Sequence, residues 1–225
     1  MITVNIINYI KKINNIVIFF ILVLTSILIS YTYYFDHLAL VNSFILNNNE
    51  IYKDKTNLFY LIYSNAHPSF LSFIINFFIK IGFSVNFINM ILTFSATLLN
   101  LSGIYLVSKF ITSSIFLSIL ISITAVLLTK NFGDIDYPTL MFSWHTTGLF
   151  AYSLSTFILG LLTLRNLLSA FLTCLLLLSI HLIVGLCIFG IIILSSYFFI
   201  EKKNIKKIGI KIFFLLIVVL FYVNW

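Results

Sequence analysis

The sequence predicts an all-α fold, a polytopic transmembrane helical bundle of about seven spans with one interfacial amphipathic helix. Of the 225 residues, 61% are hydrophobic and only 8% are charged, whereas a soluble domain carries about 25% charged residues. The charges flank long apolar runs and form no groove or stripe. The net charge of +7 therefore indicates membrane topology and not a nucleic-acid partner.

The N-terminus predicts a retained first span, over residues 13–33. Lys11 and Lys12 precede an apolar run that continues to Asp36, and no small-residue cleavage site follows it. The first external loop is predicted over residues 34–82, because its first part is too polar to be buried in lipid.

An interfacial helix is predicted at the end of this loop, over residues 68–81. The segment is short for a crossing, and its polar residues recur at intervals of three, four and four, on one helical face. These residues are Ser69, Ser72, Asn76 and Lys80. Pro68 is expected in the first turn of the helix.

The later spans follow from the intervals between charges. They are predicted over 85–108, 111–129 and 145–164, then as two short spans within 166–200 that turn near 181–185, and finally from 208 onward. The second external loop covers 130–144. Since only 14 residues follow Lys211, we expect the chain to be the N-terminal part of a longer protein.

The positive-inside rule orients this arrangement with the N-terminus in the cytoplasm. The inside then holds nine of the 13 cations: Lys11, Lys12, Lys109, Arg165, Lys202, Lys203, Lys206, Lys207 and Lys211. Glu201 is the one acid among them. The other five acids and all four histidines fall outside, so the sequence predicts a polar site on the external face.

Asp36-His37 lies where the first span emerges. The carboxylate is a candidate base or a hard oxygen ligand for Mg²⁺ or Mn²⁺. Alternatively, Asp36 and His37 simply mark the interfacial end of a helix.

Asp134 and Asp136 form a D-x-D pair in the second loop. They are candidates to ligate a divalent cation or to position a sugar hydroxyl. Residues two apart in an extended segment point to opposite faces, so a shared ligand requires a bend near Gly133 and Pro138. Ordinary turn chemistry is the alternative, since Asp, Gly and Pro are common in turns.

His145 opens the fourth span and His181 interrupts an apolar run. Zinc requires three or four converging ligands, and no such spacing occurs here. Each histidine is therefore either a substrate contact or a buried side chain bonded to a serine or a carbonyl. Cys174 and Cys187 lie in apolar runs and are interpreted as small core residues. No phosphate loop or nucleophile motif is present.

The order of elements resembles the GT-C class of integral membrane glycosyltransferases, which use polyprenyl-phosphate-linked sugars. An acid follows the first span, and an interfacial helix beginning with a proline follows that acid. His67-Pro68-Ser-Phe-Leu-Ser-Phe-Ile-Ile-Asn-Phe-Phe-Ile-Lys-Ile-Gly82, continuing into Asn86-Phe-Ile-Asn-Met-Ile-Leu92, is similar to the segment after the catalytic acid of that class. The resemblance covers residues 13–165.

The resemblance implies a catalytic base or cation ligand at Asp36 and a second-loop acid at Asp134 or Asp136. It implies that Lys80 or Lys130 meets the donor phosphate. The histidines of the external side complete the expected substrate contacts: His37, His67, His145 and His181. The expected partners are the lipid bilayer, a polyprenyl-phosphate-linked sugar donor and an acceptor glycan, lipid or protein, with Mg²⁺ or Mn²⁺ as the cofactor.

Two other functions remain open. One is a multi-span transporter or translocation protein for a lipid-linked glycan, in which the same polar groups line a pathway. The other is a non-catalytic membrane component. For each, the expected location is the bacterial inner membrane, with the chain crossing several times.

Overall fold

The computed structural model describes residues 2–32, 69–128 and 147–199, and within these ranges the chain forms seven α-helices and no β-strand. In chain order they are α1 (Ile2–Thr32), α2 (Phe70–Ile81), α3 (Val85–Thr112), α4 (Ile115–Leu128), α5 (Thr147–Thr163), α6 (Leu167–Ile180) and α7 (Leu182–Phe199). The predicted all-α class is confirmed for these residues. The second external loop and the last predicted span lie outside them, as does most of the first loop.

Two of these helices are long and apolar enough to cross a membrane, over 14–31 and 85–112. The other five apolar helices do not meet the same criterion. The number of spans therefore stays a prediction.

The boundary between α3 and α4 differs from the predicted one. Helix α3 continues beyond Lys109 to Thr112, and α4 begins only at Ile115. Ser113, between them, adopts the left-handed conformation, and its N–H donates to the carbonyl of Lys109 at 3.0 Å. Lys109 does not end the helix, because a long lysine side chain can carry its charge toward water while its backbone stays helical.

Helix α2 begins one residue after Ser69, which caps it. Ser69 and Ser72 form a capping box, each side chain accepting from the other's backbone N–H. The helix therefore starts at Phe70, and Pro68, which was predicted in its first turn, lies outside the described residues. At the other end, Gly82 has φ 101°, and the N–H of Phe83 donates to the carbonyl of Phe78, which closes a Schellman motif.

Helix α3 is the central element, in contact with α1, α2, α4 and α5. The contacts of two glycines show that α3 and α5 run in the same direction. Gly103 lies against Thr156, while Leu106, one turn further along α3, lies against Gly160, one turn further along α5. Helix α4 follows α3 and precedes α5 in the chain, and one pass along the bundle by α4 is compatible with the parallel directions of α3 and α5.

Helices α5, α6 and α7 continue the bundle by tight reversals. Arg165 adopts the left-handed conformation (φ 56°), and Asn166 then caps α6 by accepting from the N–H of Ser169. Phe171 lies ten residues before His181 in the sequence and Phe189 lies eight residues after it. Their rings nevertheless contact each other, at 6.2 Å between centroids. Helices α6 and α7 are therefore antiparallel, which confirms the predicted turn within 166–200.

Two apolar clusters share α3. The larger one joins α2, α3, α5, α6 and α7, and the smaller one joins α1, α3 and α4. Together with the helix directions, these contacts bring four features to one end of the bundle: α2, the N-termini of α3 and α5, and the α6–α7 turn. Ser113 and Arg165 mark the opposite end.

Candidate functional site

Most of the predicted site residues lie outside the described ranges. These are Asp36, His37, His67, Lys130, Asp134, Asp136 and His145. All six acidic residues of the chain are also outside them. Lys80 and His181 are described, and the structure brings their two elements to the same end of the bundle.

His181 is the whole connection between α6 and α7. Its N–H donates to the carbonyl of Leu177 at 2.8 Å, and its carbonyl accepts from the N–H of Gly185 at 2.9 Å. Its Nδ1 accepts from the N–H of Val184 at 3.5 Å, so the imidazole acts as the N-cap of α7. With Nδ1 directed at the start of α7, Nε2 is the ring nitrogen left for another hydrogen bond at this half-buried turn.

Lys80 lies in the last turn of α2, where a cation interacts favourably with the helix dipole. Its side chain is exposed. The preceding residue, Ile79, packs against the larger apolar cluster, to which Ile180 belongs. The last turn of α2 and the His181 turn are thus joined through one cluster.

The four polar residues predicted on one face of α2 differ in burial. Ser72 is buried together with Leu71 and Ile75, and its hydroxyl completes the capping box. The exposed side is aromatic instead, with Phe73 and Phe77 at least half exposed. A helix that presents large aromatic side chains outward is suited to a lipid boundary.

Three phenylalanines brace the turn between α2 and α3. Phe78 and Phe83 contact edge to face at 5.7 Å between ring centroids, and Phe83 stacks on Phe87 at 5.5 Å with an interplanar angle of 14°. These contacts span Gly82 and hold α2 at a set angle to α3. We call this turn, from Phe78 to Phe87, the elbow between α2 and α3. Lys80 lies within it.

A buried polar face on α3 was missed by the sequence reasoning. It consists of Asn89, Thr93, Thr97 and Asn100, each at most 1% exposed. We call these four residues the α3 polar face. Their spacing of four, four and three within an apolar span is a helical signal that the sequence already contained.

The opposite end of the bundle carries cations. The Lys109 Nζ lies 5.5 Å from the centre of the Tyr105 ring, within the range of a cation–π contact. Arg165 is exposed in the turn between α5 and α6. Both were predicted on the cytoplasmic side.

The cysteines differ from each other. Cys174 is buried, and its thiol donates to the carbonyl of Gly185 at 3.6 Å, so its interpretation as a core residue is confirmed. Cys187 is exposed, and that interpretation is wrong for it. It lies beside Leu186 on the outward face of α7, where an apolar run alone does not distinguish core from lipid-facing positions.

No group of three or more metal-ligating side chains occurs within the described ranges. The proposed cation ligands Asp36, Asp134 and Asp136 all lie beyond those ranges, so the expectation of Mg²⁺ or Mn²⁺ stays untested. Comparisons of the chain with protein-family models, with curated proteins and with solved structures found no match.

Proposed function

We propose that this protein is a multi-pass membrane glycosyltransferase, similar to the GT-C class, that transfers a sugar from a polyprenyl-phosphate donor to an acceptor at the external face. One observation carries the proposal. The parallel directions of α3 and α5, with the α6–α7 reversal, bring together the helix ends to which the polar segments of the chain connect.

Residues 33–68 lead into the cap of α2, and residues 129–146 lead into the N-terminus of α5. These two segments carry five of the six acids and three of the four histidines. The fourth histidine, His181, lies in the turn at the same end. Lys109 and Arg165, at the opposite end, support a cytoplasmic position for that end.

Under this proposal, Asp36 removes the proton from the acceptor hydroxyl or holds a divalent cation. Asp134 and Asp136 orient the sugar or the metal. Lys80 or Lys130 faces the donor phosphate, where a fixed positive charge stabilises the leaving group. His181 offers Nε2 for a further hydrogen bond to the substrate.

The test is sugar transfer in membranes that contain the full chain and a polyprenyl-phosphate-linked sugar. Asp36→Asn is expected to lower the rate by at least about 100-fold, the lower limit of general acid–base contributions. Asp134→Asn is expected to lower it as well. Asp54→Asn is the matched control, since this first-loop acid has no proposed role. Unchanged rates in both site variants would reject the assignment.

One observation favours a second candidate, the translocation of a lipid-linked glycan. Helix α6 has 14 residues and is about 21 Å long, so His181 lies short of the far side of a hydrocarbon core about 30 Å thick. Transporter sites are commonly built from helices that are broken within the membrane. Movement of a fluorescent lipid-linked sugar across proteoliposomes without any transfer would identify this function instead.

A further inference from the structure

The end of the bundle opposite α2 collects positive charge. Lys109 lies in the last turn of α3, and Arg165 lies in the turn between α5 and α6. Gly103 and Thr156 are level where α3 and α5 cross. Counted from there along the two parallel helices, Lys109 and Arg165 differ in level by about one helical turn. The two cations therefore lie at the same end, on two helices that touch.

Helix α7 brings further charge to this end. It runs antiparallel to α6 and has 18 residues, whereas α6 has 14. Its last residue, Phe199, therefore lies about 6 Å beyond the level at which α6 begins. The sequence then continues from this point with five lysines: Lys202, Lys203, Lys206, Lys207 and Lys211.

The charge gathered there is almost entirely of one sign. We call Lys109, Arg165 and the five lysines after α7 the basic end. Glu201 is the one acid that accompanies them in the sequence, and none of the residues that the structure describes is acidic. Clusters of about four to eight Lys or Arg residues next to a membrane helix attract the headgroups of anionic lipids.

Large apolar side chains border the cations of the bundle. Phe110 and Phe116 are 68% and 75% exposed, and Leu164, beside Arg165, is 58% exposed. A soluble polyanion would leave these side chains in water. A phospholipid instead places its phosphate at the cations and its acyl chains against the apolar side chains. The composition of this surface therefore favours a lipid.

The charge of Lys109 is held close to the bundle. Its Nζ lies 5.5 Å from the centre of the Tyr105 ring, so the ring occupies one side of the ammonium group. An ammonium group has three N–H donors, and those turned away from the ring can bind a phosphate oxygen. The cation–π contact thus fixes the position of the charge without neutralising it.

From these observations we infer that the basic end binds the phosphate groups of anionic phospholipids, with Lys109 and Arg165 as direct contacts. The inference goes beyond the proposed function, because it concerns lipids of the surrounding membrane and needs neither a sugar donor nor an acceptor.

The probe is phosphatidylglycerol in competition with phosphatidylcholine. The full chain is reconstituted in nanodiscs that contain equal amounts of the two lipids and is then released, and the lipids that stay bound are counted by native mass spectrometry. We expect the wild type to retain mainly phosphatidylglycerol. Lys109→Gln combined with Arg165→Asn should lower the ratio of phosphatidylglycerol to phosphatidylcholine by at least about fivefold, the effect of one cation at a membrane surface. Asparagine is chosen because it tolerates the left-handed conformation of residue 165.

Lys53→Gln combined with Lys55→Gln is the matched control. It removes the same charge from the first predicted loop and should keep the wild-type ratio. An unchanged number of bound phosphatidylcholine molecules in the Lys109 and Arg165 double variant shows that the loss is one of anion binding and not of the fold.

Three results would overturn the inference. The first is a wild type without a preference for phosphatidylglycerol, and the second is an equal loss of preference in the two double variants. The third is displacement of the bound phosphatidylglycerol by an excess of single-stranded RNA, which would assign the basic end to a soluble polyanion.

Discussion

Gly103 of α3 and Gly160 of α5 face each other where the two helices cross. A Cβ atom added to Gly160 would lie 3.0 Å from the carbonyl oxygen of Gly103, and one added to Gly103 would lie 2.4 Å from the backbone carbonyl of Thr156. The absence of both side chains sets the distance between the helices. Small residues at such crossings let backbones approach closely in membranes, where van der Waals packing drives helix association.

Gly103→Ala is therefore expected to destabilise the bundle. The added Cβ meets backbone atoms of α5, which cannot rotate away, so the helices must separate. Overpacking of this kind costs about 1–3 kcal/mol. Thermal unfolding in detergent micelles, followed by loss of the monodisperse peak in size-exclusion chromatography, measures the effect.

Gly190→Ala is the control for this variant. Nothing lies within 4 Å of a Cβ at Gly190, and alanine is favoured over glycine in a helix by about 0.5–1 kcal/mol. We expect it to melt at the wild-type temperature or slightly above it. Similar melting temperatures for Gly103→Ala and Gly190→Ala would contradict the close crossing of α3 and α5.

The elbow between α2 and α3 depends on the backbone of Gly82. Its φ of 101° is unfavourable for any residue with a side chain, although the space around it is open. Gly82→Ala should therefore cost about 1–2 kcal/mol of strain alone. Gly82→Asn should cost less, because asparagine tolerates positive φ better. If both variants melt at the wild-type temperature, the elbow is not held in this conformation.

His181 can be tested for two roles at once. Asparagine accepts the Val184 N–H as a cap, so His181→Asn should keep the fold. His181→Leu removes the cap and should destabilise the protein by about 1 kcal/mol. If Nε2 meets the substrate, His181→Asn should be stable and still lose sugar transfer. A stable His181→Asn protein with wild-type transfer would restrict His181 to capping.

The helices and their order were largely predictable, because apolar runs between charges show where spans begin and end. The exact ends were not, as the α3 extension beyond Lys109 shows. A charge marks the membrane boundary, while the helix ends where the backbone leaves the helical conformation, here at Ser113. The His181 turn was predictable, since a polar residue interrupts a long apolar run.

Which side chains of a helix are buried in the bundle was less predictable. The polar residues of α2 were predicted to share one helical face, but their spacing does not reveal that Ser72 is buried while Lys80 is exposed. The α3 polar face was visible in the spacing, yet its burial depends on which helices surround α3. Periodicity identifies a face of a helix, and tertiary contacts decide what that face meets.

The central claim is that one end of the bundle, at the start of α3, faces the outside of the cell. The most direct test introduces single cysteines by Asn86→Cys and Leu164→Cys in a background with Cys174→Ala and Cys187→Ala. Both positions are exposed, the first near the start of α3 and the second just after α5. A membrane-impermeant maleimide should label the first in intact spheroplasts and the second only after permeabilisation. Labelling of both from the same side, or in the opposite pattern, would contradict the account.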